Sequence, residues 1–158
     1  MTSLTIFTPT YNRAYTLPRL YKSLCQQTAQ DFEWLVVDDG STDETQMLFN
    51  TWLEEGKIPI RYITKENGGK PSAYNIAAKE AKGELFLCVD SDDYLVDNAV
   101  EKVLNNWETT DEYKEYDGKP VIGQLYFKGY QNNTPPATVR KHLPTSQNTE
   151  EMRSLQLY

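Results

Sequence analysis

The chain predicts an α/β fold with three layers, α/β/α, built on a mostly parallel central sheet. Two observations carry that expectation. Four short apolar runs alternate with longer segments whose apolar residues recur at helical spacing. Their order is strand, helix, strand, helix, strand, helix, strand, which favours parallel pairing with crossover helices on both faces.

The first strand is Leu4-Thr5-Ile6-Phe7-Thr8, stopped by Pro9, which cannot donate to a ladder. Thr16 is placed to cap a helix carrying Leu17, Leu20, Tyr21 and Leu24, with Pro18 in its first turn. Phe32-Glu33-Trp34-Leu35-Val36-Val37 forms the second strand and ends in Asp38-Asp39-Gly40. Ser41 and Glu44 have the spacing of a capping box for a helix through Met47, Leu48 and Leu53, terminated by Gly56. Ile60-Arg61-Tyr62-Ile63-Thr64 is the third strand. The turn Asn67-Gly68-Gly69 precedes a helix from about Pro71, with Tyr74, Ala77, Ala78 and Ala81 facing inward and Gly83 at its end. The fourth strand is Leu85-Phe86-Leu87-Cys88-Val89, leading into Asp90-Ser91-Asp92-Asp93. A helix is expected over 97–107, a charged, tyrosine-rich loop over 108–119 and one more strand over 121–127. From Gln131 onward Asn, Pro, Thr and Gln dominate, and Pro135-Pro136 forbids regular structure nearby. The expected division is therefore a folded domain over 1–130 and a tail or incomplete segment over 131–158.

At 158 residues the chain suits one domain with a real core. A hydrophobic fraction of 39% and a charged fraction of 25% are those of a soluble globular protein. The net charge of −7 and the dispersed basic residues argue against a nucleic-acid groove. Cys25 and Cys88 fit no metal spacing and read as reduced thiols. No signal peptide precedes the first strand and no apolar run is long enough to cross a bilayer, so a cytoplasmic setting is expected. His142, the single histidine, stands in a proline-flanked polar loop, which leaves zinc catalysis or a Ser-His-Asp triad little support.

In a parallel sheet the loops at the strand carboxyl ends converge on one edge, where α/β proteins place ligands. Three carboxylates in Asp90-Ser91-Asp92-Asp93 repel one another, and a hard divalent cation that bridges to phosphate would relieve them. Asp90 and Asp92, alternate residues after a strand, can aim at one point. Either could instead be a loop cap. Asp38-Asp39-Gly40-Ser41 could be a plain βα turn. Two carboxylates exceed that need, and one could accept the imide N–H of uracil. Asn67-Gly68-Gly69-Lys70 resembles a phosphate-cradling loop at a helix N-terminus, without the spacing of a P-loop.

Taken together, Phe7-Thr8-Pro9-Thr10-Tyr11-Asn12-Arg13, Val36-Val37-Asp38-Asp39-Gly40-Ser41-Thr42-Asp43, Asn75 with Gly83-Glu84, and Asp90-Ser91-Asp92-Asp93 resemble the N-terminal part of a family 2 glycosyltransferase with the GT-A fold. The resemblance covers roughly the first 110 residues, with its motifs in the family's order. It implies transfer of a sugar from a nucleotide-sugar donor, usually a UDP-sugar, with inversion. It implies that Pro9, Thr10 and Tyr11 line the nucleoside pocket and that Asp39 contacts the base. Asp90, Ser91 and Asp92 would serve the ribose and diphosphate. Asp92, joined by Asp90, would hold Mn²⁺ or Mg²⁺. Arg13 and Lys70 would lie near the nucleotide. The acceptor would be a saccharide or lipid-linked saccharide in polysaccharide synthesis, with association at the inner face of a membrane left open.

The family's general base is a carboxylate well beyond the metal motif. Glu150 and Glu151 stand in no diagnostic setting, so the base is expected to be missing and the chain to be a truncated product. The competing expectations are a nucleotide-sugar-binding module inactive on its own, and a sugar-phosphate nucleotidyltransferase. The latter is disfavoured because Pro9-Thr10-Tyr11-Asn12-Arg13 stands where that class carries a glycine-rich phosphate loop.

Overall fold

The central sheet has four parallel strands in the order β3-β2-β1-β4. They are β1 (Leu4–Thr10), β2 (Phe32–Asp38), β3 (Ile60–Thr64) and β4 (Leu85–Cys88). The computed structural model describes residues 2–108 and the backbone of two short strands, β5 (Glu115–Tyr116) and β6 (Lys119–Pro120), which pair antiparallel. The chain divides into two units, Met1–Ile122 and Gly123–Tyr158. The strand expected over 121–127, His142, Glu150 and Glu151 lie outside the described residues.

β1 and β2 are apolar on both faces, as a sheet covered by helices on both sides requires. Leu4, Ile6, Phe7, Trp34, Leu35, Val36 and Val37 are all fully buried. Alternation sends Trp34 and Leu35 to opposite faces. On one face Trp34 meets Tyr21 of α1 (Leu17–Cys25) and Phe49 and Trp52 of α2 (Thr45–Glu55), with Tyr62 stacked on Phe49 at 4.4 Å. On the other, Phe7, Leu35 and Val37 pack against Ala73 and Ala77 of α3 (Lys70–Glu80), and Tyr74 meets Phe7 edge-on at 5.0 Å. Two buried polar pairs brace the sheet: Trp34 Nε1 donates to Thr8 Oγ1 at 2.9 Å, and Thr5 Oγ1 donates to Glu33 at 2.7 Å.

Gly56 ends α2 as expected, in the left-handed region, but other helix ends depart from expectation. Thr16 occupies the N-cap position of α1, but its hydroxyl donates to the Arg13 carbonyl at 3.1 Å and caps nothing. The Ser41–Glu44 capping box does not form. Glu44 is itself the N-cap residue of α2, and Asp43 accepts the Thr45 N–H at 3.1 Å. Ser41 is diverted, because its hydroxyl accepts the Asn12 N–H at 2.8 Å. Along α2 the buried residues are Thr45, Phe49 and Trp52, while Met47 and Leu53 face solvent. Along α3 the buried alanines are Ala73 and Ala77, and Ala78, expected inward, is exposed. The reason is that Ala73 and Ala77, four residues apart, form the stripe packed on Phe7, Leu35 and Val37, and Ala78 lies one position round the helix from it. The helix expected over 97–107 is α4, Ala99–Glu108. Gln27, just past α1, donates from Nε2 to the Val96 carbonyl and accepts the Val100 N–H, which docks the start of α4.

Strand order places the site. β1 has β2 on one side and β4 on the other, so chain order reverses direction across β1 and β4. Such a switch opens a crevice beyond the strand carboxyl ends. Thr10 is level with Asp38, and Asp38 with Thr64, so three of the following loops start from one edge. Among the described residues no helix is long and apolar enough to cross a membrane.

Candidate functional site

A cavity of about 320 Å³ opens at that edge, lined by Pro9, Thr10, Tyr11, Arg13, Asp39, Lys70, Ala73, Asp90, Ser91 and Asp92. All nine residues singled out from the sequence lie around it, and Ala73 is the tenth. They come from the ends of β1, β2 and β4 and from the first turns of α3.

The loop after β1 is fastened to the loop after β2. Asn12, at φ 52°, accepts the Thr42 N–H at 2.7 Å through Oδ1, and Asp43 accepts the Ala14 N–H at 2.9 Å. Asn tolerates this left-handed backbone better than most residues. Thr10, at the end of β1, is 3% exposed, and its Oγ1 is buried with no hydrogen-bond partner.

Asp38 and Asp39 divide the work at the end of β2. Asp38 holds the turn: it accepts the Ser41 N–H at 2.8 Å and the Tyr62 hydroxyl. Burial and this carboxylate together push the Tyr62 phenol well above its ordinary pKa. Asp38 is therefore not a surplus acid. Asp39 faces the cavity and is 5% exposed. Its Oδ1 accepts from Lys65 Nζ and from the Gly68 N–H at 2.9 Å, and its Oδ2 accepts the Gly69 N–H at 2.7 Å. Burial works against its charge, yet Lys65 and the two N–H groups outweigh that and hold the carboxyl below its ordinary pKa. One lone pair on Oδ2 remains open.

Across the cavity, Lys70 Nζ donates to both oxygens of Asp90 at 2.8 and 2.9 Å. Burial disfavours the Lys70 ammonium, but Asp90 more than compensates and raises its pKa. Cys88 donates weakly to Asp90 at 3.9 Å, and burial followed by the Asp90 charge pushes its thiol up to about 12. Cys25 is also a free thiol. Asp92, 57% exposed, has Arg13 at 4.0 Å, while the same guanidinium donates to Tyr15 Oη at 2.9 Å. Burial, then the charges of Asp92 and Asp90, raise the pKa of Asp93, so the repulsion foreseen in this run is felt there.

Among the described residues no three His, Cys, Asp or Glu side chains group to hold a metal by themselves. Asp92 nevertheless offers an open carboxylate beside a cavity large enough for phosphate oxygens. Mg²⁺-type sites take one or two carboxylates and complete their shell with substrate phosphate and water, and this donor set fits that pattern.

Lys65 is the functional side chain that sequence reasoning missed. It sits directly after β3 with no local motif, and only strand pairing brings it to Asp39. Ala73 was legible as an apolar helix residue, but not as cavity wall.

Comparison with known proteins extends the geometry. Residues 5–155 match the profile described as Glycosyl transferase family 2. The teichoic acid poly(glycerol phosphate) polymerase of Staphylococcus epidermidis is 35% identical over 112 residues, which are 70% of this chain and 16% of that protein. The structure of Staphylococcus aureus TarS in complex with UDP superposes with a TM-score of 0.63 at 31% identity, over 67% of this chain and 32% of that one. A mannosyltransferase from Pyrobaculum calidifontis, in complex with GDP-Man and Mn²⁺, gives 0.62 at 26% identity, over 68% and 32%. The curated relatives are longer, and the matched part spans 16% and 42% of the first two. The parallel sheet is the one these GT-A proteins share, and the chain belongs to glycosyl transferase family 2.

Proposed function

We propose that this chain carries the nucleotide-sugar-binding part of an inverting, divalent-metal-dependent glycosyltransferase whose donor is a UDP-sugar. One observation supports this above the others: Asp39 and Asp92, from separate crossovers, line a single cavity together with Lys70 and Arg13. That cavity offers a base acceptor at one end and a charged diphosphate seat at the other. The relatives add weight, since TarS is described in complex with UDP.

In this reading Pro9, Thr10 and the half-exposed ring of Tyr11 form the nucleoside pocket. The open lone pair of Asp39 accepts the imide N–H of uracil. Asp90 and Ser91 position the ribose and diphosphate, and Asp92 with Asp90 holds Mn²⁺ or Mg²⁺. Bound there, the cation supplies Lewis-acid stabilisation of the charge that grows on the leaving diphosphate. Lys70 and Arg13 stabilise the same charge, an interaction stronger in the transition state than in the ground state. Inversion requires a general base on the opposite face of the sugar to take the acceptor hydroxyl proton. The carboxylates lining this cavity are all assigned to the donor side, so the base lies elsewhere. The acceptor is a saccharide or lipid-linked saccharide, and the setting is the cytoplasm or the inner membrane face.

Because the cavity is furnished for the donor, a second reading is a nucleotide-sugar-binding module that needs further protein for transfer. Calorimetric titration of the chain with UDP, with and without Mn²⁺, tests the site. UDP binding should tighten about tenfold or more with Mn²⁺, and Asp92→Ala should remove that dependence. Failure to bind UDP under either condition, or an unchanged metal response in Asp92→Ala, overturns the assignment. Metal-dependent UDP binding with no transfer or donor hydrolysis selects the module reading.

A further inference from the structure

We infer that Lys70 makes this cavity admit a divalent cation and a nucleoside diphosphate jointly, by holding Asp90 until a diphosphate takes over the ammonium. The inference rests on the nucleotide and metal reading above and adds to it the order and coupling of binding.

The geometry begins with partner use. Lys70 meets both oxygens of Asp90, and Cys88 approaches the same carboxylate, so a cation held by Asp92 could use Asp90 only by sharing it with the ammonium. Among the described residues Asp92 has only the Arg13 contact at 4.0 Å. A cation arriving without nucleotide therefore finds one open carboxylate, and a second that it must share with the Lys70 ammonium. A diphosphate arriving without a cation places its charges against Asp90 and Asp92. Either ligand by itself meets a like charge. Together they cancel one another: Lys70 passes to the phosphate oxygens, and Asp90 is released to join Asp92.

The exchange is easy because the Lys70–Asp90 pair is weak. Its side chains are 56% and 42% exposed, and exposed pairs contribute little net stability. Lys70 is also well placed for the hand-over. It is the first residue of α3, whose amino end faces the cavity, and Gly69 just before it is held by Asp39. The ammonium thus swings about a fixed backbone. By linkage, the factor by which UDP tightens the cation must equal the factor by which the cation tightens UDP.

Titration of the chain with Mn²⁺, followed by the electron spin resonance of free Mn²⁺, tests this with and without UDP. The parent chain should bind Mn²⁺ weakly by itself and about tenfold tighter with saturating UDP. Lys70→Met should tighten Mn²⁺ binding in the absence of UDP about fivefold and shrink the coupling, whereas Lys70→Arg should preserve it. In an Asp90→Asn background, Lys70→Met should add nothing, which a double-mutant cycle reads directly. Circular dichroism confirms that each variant is folded. Unchanged or weaker Mn²⁺ binding in Lys70→Met, with Mn²⁺–UDP binding intact in the parent, overturns the inference and leaves the proposed function standing. A parent chain that binds neither UDP nor Mn²⁺–UDP overturns the proposed function itself.

Discussion

Asp39 is where the molecule concentrates its polar commitments. One carboxylate serves Lys65, the N–H groups of Gly68 and Gly69, and the cavity. Because its pKa is held below the ordinary 3.8, its contacts add stability that is fully present above that value. The contribution disappears as pH falls through the lower folded-state value. Asp39→Asn should cost about 2–3 kcal/mol at neutral pH, since hydrogen bonds to a charged group are lost and Lys65 keeps only the Glu66 carbonyl. Urea midpoints at pH 7 and pH 3 should then lie closer together in Asp39→Asn than in the parent. An unaltered spacing would show that Asp39 does not carry this pH dependence. Asp93 has the opposite sign. Its raised pKa means that its charge costs stability above the ordinary carboxylate range, so Asp93→Asn should raise the neutral-pH melting temperature. Of these residues, Asp39 and Asp93 could be read from runs of adjacent acids, and Lys65 could not.

At the scale of elements, the loops at the cavity are set by what fastens them, and caps were the least legible part of the chain. Ser41 looked like a helix cap because a serine three residues before a glutamate usually is one. Here the first loop competes for it, and Asn12 wins the hydroxyl. Gly83 shows a similar override. It reads as a helix terminator, yet α3 ends at Glu80 with Ala81 as its C-cap. A Cβ at Gly83 would lie 2.4 Å from the Thr5 nitrogen and 2.6 Å from the Leu4 carbonyl carbon. The requirement comes from the approach of residue 83 to β1, where its N–H donates to Thr5 Oγ1 at 2.9 Å. Gly83→Ala should therefore cost about 3 kcal/mol or more, as overpacking at backbone does. Gly56, left-handed with open space around it, should cost about 1–2 kcal/mol on the same change. Equal chemical denaturation midpoints for the two variants would contradict this account.

For the molecule as a whole, the cavity joins three strand ends and one helix start, so a ligand there clamps elements distant in sequence. Any ligand that binds only the folded state stabilises it, by about 2.7 kcal/mol at one hundred times its dissociation constant. Saturating UDP with Mn²⁺ should thus raise the melting temperature by several degrees, and UDP with chelator should raise it less. A melting temperature indifferent to both would show that neither UDP nor UDP with Mn²⁺ binds the folded chain. The length of the relatives bears on activity at the same scale. The matched part is 16% of the first curated relative and 42% of the second, so this chain spans less than half the length of either.

By itself the sequence determined the order of elements, the parallel sheet and the identity of nine residues that line the cavity. It could do so because apolar periodicity, proline and glycine placement, and runs of adjacent acids are local signals. Only the tertiary structure decided which groups those residues meet. Lys65 reaches Asp39, Lys70 closes on Asp90, and Ser41 leaves its helix for Asn12. Each of these pairings joins loops from different crossovers, and strand register, not neighbouring sequence, sets the distance between them.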